Sequence, residues 1–185
     1  MEQLKVKHVI ISKQMETNDN YEIFKEIVKN KKVSVVFVGV PEKYEMQKLE
    51  IEKNLYLDIL WPRNSKIIND NILNNNSIVC KLNYLRFSML FTGDIEEISE
   101  KEILKEYENN LDIIKSTILK VAHHGSKTSS SQEFLNAVKP KIALIGVGEN
   151  NKFGHPNKEV LERLEKLRCK NIPNRPNGRN NNYCK

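Results

Sequence analysis

The chain has four histidines in 185 residues, and two of them are adjacent. His123 and His124 stand in Val121-Ala122-His123-His124-Gly125-Ser126, directly after the β-rich run Ser116-Thr117-Ile118-Leu119-Lys120. Imidazole is the commonest side-chain metal ligand and also a general acid or base near neutral pH. Neighbouring side chains of an extended strand point to opposite faces. Both rings can therefore serve one site only if the chain turns there, and Gly125 permits a turn. His155 lies in a second loop, Phe153-Gly154-His155-Pro156, and a third, Phe91-Thr92-Gly93-Asp94, offers a carboxylate. Taken singly, a Gly-Asp after a strand is usually a turn or a helix cap, and a Gly-His-Pro is usually a loop before a helix. Their order is what joins them: strand–Asp, then strand–His-His-Gly-Ser, then strand–Gly-His-Pro–helix. His8 falls inside a strand rather than at its end and reads as structural or exposed.

The elements that must position these loops follow from periodicity. Val6–Ile11 is apolar and β-branched and predicts a strand. The Asn18-Asp19-Asn20 loop caps a helix whose apolar stripe is Ile23, Phe24, Ile27 and Val28. Val33–Val38 is a strand closed by Gly39 and Pro41. Leu49, Ile51, Leu55, Leu57 and Ile59 alternate with polar residues, and Lys53-Asn54 between the runs predicts a hairpin. Residues 63–76 read as a polar loop. Ser77–Leu82 and Arg86–Phe91 predict a second hairpin, ending at Asp94. Ser99-Glu100-Lys101-Glu102 has the capping-box pattern, with Ser99 as cap and Glu102 reaching back, before a helix with Ile103, Leu104 and Tyr107 inward. Ile118–Ala122 is a strand. Ser129-Ser130-Ser131 caps a helix with Phe134, Leu135 and Val138 inward, ended by Pro140. Ile142–Val147 is a strand, and Asn157 caps a last helix carrying Val160, Leu161, Leu164 and Leu167.

The length suits one domain or part of one. Hydrophobic residues make up 39%, below the usual share but enough for a core. No run of 18 apolar residues is present, so no membrane span is expected. Residues 1–15 are too polar for a signal peptide, so the chain as written reads as cytoplasmic. The net charge of +6 is uneven: residues 168–185 carry five basic side chains and no acid, which leaves the body near +1. A nucleic-acid surface therefore does not follow from the basic isoelectric point. Cys80 reads as core. Three cysteines without metal spacing give neither a disulfide framework nor a zinc knuckle. From Cys169 the periodicity fails, and 168–185 reads as a basic disordered tail.

The motifs Phe91-Thr92-Gly93-Asp94, Leu119 through Ser129 with its His123-His124-Gly125-Ser126-Lys127, and Asn150-Asn151-Lys152-Phe153-Gly154-His155-Pro156 resemble the metallo-β-lactamase-like domain of the ComEC competence proteins. Asn74-Asn75-Asn76-Ser77 also matches that family's pattern. The resemblance runs from about Val6 to about Leu167. It implies an α/β (α+β) fold, the latter two-thirds of an αββα sandwich lacking its first section, over residues 1–167. It implies a metal-dependent hydrolase, most naturally of DNA phosphodiesters during DNA uptake, attached in the family to a membrane protein. In such two-metal enzymes the ions polarise a phosphoryl oxygen and activate water. The resemblance assigns Asp94 to bridging metals and His123 to metal ligation. It sets His124, Ser126 and Lys127 against substrate, and makes His155 a ligand or transition-state donor. Asn75, Asn76 and Ser77 fall at a substrate-binding position.

One departure matters. The His-x-His-x-Asp-His motif that supplies most ligands in the superfamily is absent, since His8 is the only histidine before Asp94. A divalent metal, zinc or manganese, is therefore expected to be held weakly or not at all by this chain, with little hydrolysis by it alone. Three functions compete: a nuclease-type phosphodiesterase on single-stranded DNA, a small-molecule phosphoester or lactone hydrolase of the same superfamily, and a non-catalytic fragment or subunit completed by an N-terminal chain. The last predicts exposed sheet edges and an uncovered apolar face.

Overall fold

The structure is a computed structural model that describes residues 5–12, 19–39, 47–63 and 66–167, and the backbone of 170–174. Among these the chain is mixed α/β, with two sheets and five α-helices. No helix of the described residues is long and apolar enough to cross a membrane.

The first unit is β1 (His8–Ser12), α1 (Asp19–Asn30) and β2 (Ser34–Val38), with β1 and β2 paired in parallel as a two-stranded sheet. His8 is exposed on β1. The remainder builds one seven-stranded sheet in chain order: β3 (Gln47–Glu52), β4 (Leu55–Trp61), β5 (Val79–Tyr84), β6 (Phe87–Phe91), β7 (Ile118–Lys120), β8 (Ile142–Gly146) and β9 (Lys170–Asn174). The first four strands are antiparallel hairpins, and β6 through β9 are parallel. The turns sit where the sequence places them, with Asn54 and Leu85 at positive φ between their strands.

Alternation sorts the sheet into two faces. Leu60, Val79, Leu90, Leu119, Ala143 and Ile145 point to one side. There they meet α3 (Glu97–Glu106), α4 (Gln132–Val138) and α5 (Lys158–Lys166), through Ile103, Phe134, Leu135, Val160 and Leu164. On the other side Ile59 packs against Val38, with Val36, Leu49, Ile78 and Cys80 around them. The small sheet thus covers one end of the second face.

Three expectations are corrected. Residues 63–76 are not wholly loop, because Ile72–Asn75 forms a short helix, α2. Ser99 is not a helix cap. The helix starts earlier, after Glu96, and the Ser99 hydroxyl is drawn inward to donate to Asn75; Glu102 pairs with Lys66 instead of reaching back. Residues 170–174 do not belong to a disordered tail. They form β9, templated by the open parallel edge of β8 with Ile172 opposite Leu144, and the edge position accommodates Pro173. The rest of the tail lies outside the described residues, whereas the caps Ser131 and Asn157 each accept a backbone N–H as expected.

Candidate active site at the ends of three parallel strands

Because β6, β7 and β8 run parallel, their C-terminal ends share one rim, the place where open α/β sheets bind ligands. Asp94 follows β6, His123 and His124 follow β7, and His155 lies in the connection from β8 to α5. Backbone bonds stitch the loops together. His123 N donates to Gly93 O at 3.1 Å, and Asn157 N donates to Gly125 O at 2.8 Å.

The turn after β7 is tighter than one glycine explains. His123 and His124 both adopt positive φ, 46° and 55°, ahead of Gly125 at 82°. Left-handed backbone costs a non-glycine residue about 1–2 kcal/mol, and such strain concentrates at functional sites. The glycines meet close neighbours. A Cβ on Gly125 would lie 2.8 Å from Cβ of Pro156, and one on Gly93 2.6 Å from Cβ of Ser77. Gly125 thus lets the His155 loop close on the double-histidine turn.

Asp94 and His124 converge. Oδ1 of Asp94 is 3.8 Å from Nε2 of His124, while Nδ1 of His124 lies 2.6 Å from the Gly146 carbonyl. A carbonyl accepts only, so Nδ1 carries a proton and donates it to this bond, and Nε2 is the nitrogen turned toward Asp94. A backbone or carboxylate partner on the far nitrogen is the usual support of a metal-bound histidine. Lys120 Nζ stands 3.9 Å from Asp94 Oδ1 and donates to Gly93 O at 3.0 Å; burial pushes this ammonium below the ordinary lysine value, against the pull of Asp94.

His123 turns the other way. Its buried Nδ1 faces Oε1 of Glu96 at 3.5 Å. Glu96 is itself fixed by Thr128 Oγ1, which donates to Oε1 at 3.0 Å, and by Asn75 Nδ2, which donates to Oε2 at 3.3 Å. The His155 ring meets His123 edge-on, 6.0 Å between centroids. Burial, and then the neighbouring His123 and His124, push the His155 imidazole below its ordinary value.

The other sequence candidates sit differently. Asn75 and Asn76 are 0% and 2% exposed. Asn75 bonds Asp70 O, Glu96 and Ser99, and Asn76 bonds Ile68 and Ile72. Their amides therefore hold the loop under the site instead of facing a substrate. Ser77 packs on Gly93. Ser126 is buried, its hydroxyl within 3.0 Å of that of Thr128. Lys127 is exposed at the rim. Glu96, Lys120 and Phe153 join the site without a sequence signal that set them apart.

Metal binding can be tested on these donors. Asp94 and His124 offer two, spaced so that one ion could take both. Among the described residues, no group of three or more His, Cys, Asp or Glu side chains is placed to hold one. Catalytic zinc takes three protein ligands plus water, of which Asp94 and His124 would supply two.

Fold and rim together define a mixed α/β protein with two acids, Asp94 and Glu96, and three imidazoles in the connections that follow adjacent parallel strands. No protein-family model matches the chain. It is 40% identical over 93 residues, half its length, to ComE operon protein 3 of Bacillus subtilis. It is 34% identical over 134 residues, 70% of its length, to competence protein ComA of Neisseria gonorrhoeae. Recombination protein 2 of Haemophilus influenzae is 34% identical over 116 residues. Competence proteins are thus among its homologues. The matched stretches span 12%, 18% and 14% of those proteins, so the chain corresponds to a small part of each.

Proposed function

We propose that the chain is the latter part of a metallo-β-lactamase-type hydrolase domain that acts on DNA phosphodiesters in DNA uptake. The observation that carries this reading is the meeting of Asp94 and His124 Nε2 at 3.8 Å, with His124 Nδ1 tied to the Gly146 carbonyl. The names of the competence homologues support the uptake context. In this reading Lys127, exposed beside the histidines, meets phosphate oxygens by charge-assisted bonds. His123, backed by the Glu96 carboxylate, accepts or returns a proton at Nε2. In this reading Asp94 and His124 supply two ligands, and the further ligands and full activity come with polypeptide added to this chain.

The test is cleavage of labelled single-stranded DNA with manganese or zinc. The chain alone is expected to be inactive. A longer polypeptide that supplies a His-x-His-x-Asp-His segment is expected to cleave, and to lose at least a hundredfold in rate on Asp94→Ala, as loss of an electrostatic element in a site typically costs about 10²–10³. Metal-dependent cleavage by the chain alone, abolished by Asp94→Ala, would overturn the incompleteness. A longer polypeptide indifferent to Asp94→Ala would overturn the site.

A second reading, a subunit completed by another chain, is favoured by one observation. The register sets Leu82, Met89, Phe91, Ile118, Ile142 and Leu144 on one face of the large sheet, all only partly buried and beyond the residues that pack around Val38. Both readings require added polypeptide, and co-purification with a separately encoded chain distinguishes the second.

A further inference from the structure

Phe153 is 82% exposed, the most exposed of the large apolar side chains among the described residues. A single exposed phenylalanine is ordinary on a protein surface. This one differs in being held. Its ring lies parallel to that of His155, 5.9 Å between centroids with 17° between planes. The loop is pinned by Asn151, whose side chain accepts from His155 N at 2.9 Å and donates to His155 O at 2.8 Å. Asn151 also closes the turn onto Gly148 O through its backbone and side-chain N–H groups. The aromatic ring is thus held near-parallel beside an imidazole and is largely open to solvent.

The ring is also placed. Phe153 stacks on His155, and His155 meets His123 edge-on at 6.0 Å. These two steps form a ladder from solvent to the imidazole beside Glu96. Exposed Lys152 precedes Phe153 in the chain, and exposed Lys127 follows the His123-His124 turn. A fixed aromatic face beside cationic side chains is the arrangement by which proteins hold single-stranded nucleic acid: the bases stack and the phosphates are neutralised. A base paired inside a duplex has no free face to offer such a platform, whereas an unpaired base does.

We infer that Phe153 is a stacking platform for an unpaired nucleobase, and that it selects single-stranded over duplex DNA at this rim. The inference deepens the phosphodiester reading and rests on it for the phosphate.

Binding of a fluorescein-labelled oligo-dT to the full chain, followed by anisotropy at low salt, tests it. Phe153→Ala and Phe153→Leu are expected to weaken binding roughly tenfold, the lower-middle part of what one base–aromatic stack contributes. Phe153→Trp is expected to bind as well as the parent or better. An abasic oligonucleotide of equal charge should bind weakly and alike to all four proteins, and so should a duplex. The inference is overturned if Phe153→Leu matches the parent on oligo-dT, if the abasic strand loses as much as oligo-dT, or if the parent does not bind oligo-dT. Backbone amide shifts of residues 150–155 on adding oligo-dT at millimolar concentration give a second measurement, and their absence would also overturn it. Failure of hydrolysis is read separately. An aromatic-dependent binder that never cleaves, even when its ligand set is completed, removes the hydrolase reading and leaves the platform. A cleaving protein indifferent to Phe153→Leu does the reverse.

Discussion

At the residue scale, the three rim histidines are held in different ways by different partners. His124 donates from Nδ1 to the Gly146 carbonyl, and His123 faces a carboxylate that Asn75 and Thr128 hold in place. His155 has neither aid. Its Nδ1 is buried without a partner, and its neighbours are two other imidazoles. Burial first, then repulsion from His123 and His124, lower its pKa from 6.5. The sign follows from proton linkage. Protonation is harder in the folded chain than in the unfolded one. The stability that His155 contributes is complete above 6.5 and is lost as pH falls through the lower folded value. Imidazole shifts across a pH titration should show His155 with a midpoint below the ordinary histidine value, moving upward in His123→Asn. A midpoint at the ordinary value in the parent would mean that neither burial nor its neighbours act on the ring.

At the element scale, the loop bearing Ser126 and Lys127 is positioned from below by two charged side chains. Glu100 is fully buried and accepts from the backbone N–H of Ser130 and, at 2.8 Å, of Ser131. Arg163 of α5 donates to the carbonyls of Ser129 and Ser130 at 2.8 and 2.9 Å. Together they satisfy the backbone around Ser130, which sits at positive φ, and set the start of α4. Glu100→Ala would leave two buried donors unpaired, a loss of about 2–4 kcal/mol. For a chain of this size that lowers the melting temperature by about 5–15 °C. Thermal unfolding followed by circular dichroism checks it, and an unchanged midpoint would show that the loop finds other acceptors. Nothing local in the sequence marks Glu100 or Arg163, because their partners lie some thirty residues away. The same holds for Glu96 and Lys120. By contrast the strands that precede Asp94, the shared His123-His124 turn and the longer His155 loop are marked by their own apolar runs, and parallel pairing of β6, β7 and β8 brings those connections to one rim. The capping pattern at Ser99 does not form its cap because Asn75, buried beside it, takes the hydroxyl. β9 carries no mark in the sequence, because a parallel edge strand needs only a neighbour to pair with and Lys170–Asn174 has no alternation to announce it.

At the scale of the whole molecule, the two sheets are unequally supported. The large sheet buries Leu60, Val79, Leu90, Leu119 and Ile145 beneath three helices. The small one is a lone parallel pair whose anchorage on the large sheet centres on Val38 against Ile59. Parallel pairs are slightly less stable per residue than antiparallel ones, and a two-stranded sheet is marginal without further strands or good packing. Ile10 and Phe37 of this pair remain exposed. The physical consequence is a difference in local stability. Amide hydrogens of β1 and β2 should exchange through local opening, at least a hundredfold faster than those of β5, β6 and β7. Hydrogen-exchange mass spectrometry on peptides covering 8–12 and 34–38 against 79–91 and 118–121 measures this directly. Equal protection in the two sheets would mean that the small pair unfolds only with the whole chain, and the case for strands added from outside would lose its energetic basis. If the expected contrast is found, a polypeptide that lays further strands beside β1 or β2 should slow exchange there and cover Met89 and Phe91. It would do so on the face beside Lys120, whose ammonium is close to Asp94, which brings the added strands toward the rim that needs further ligands.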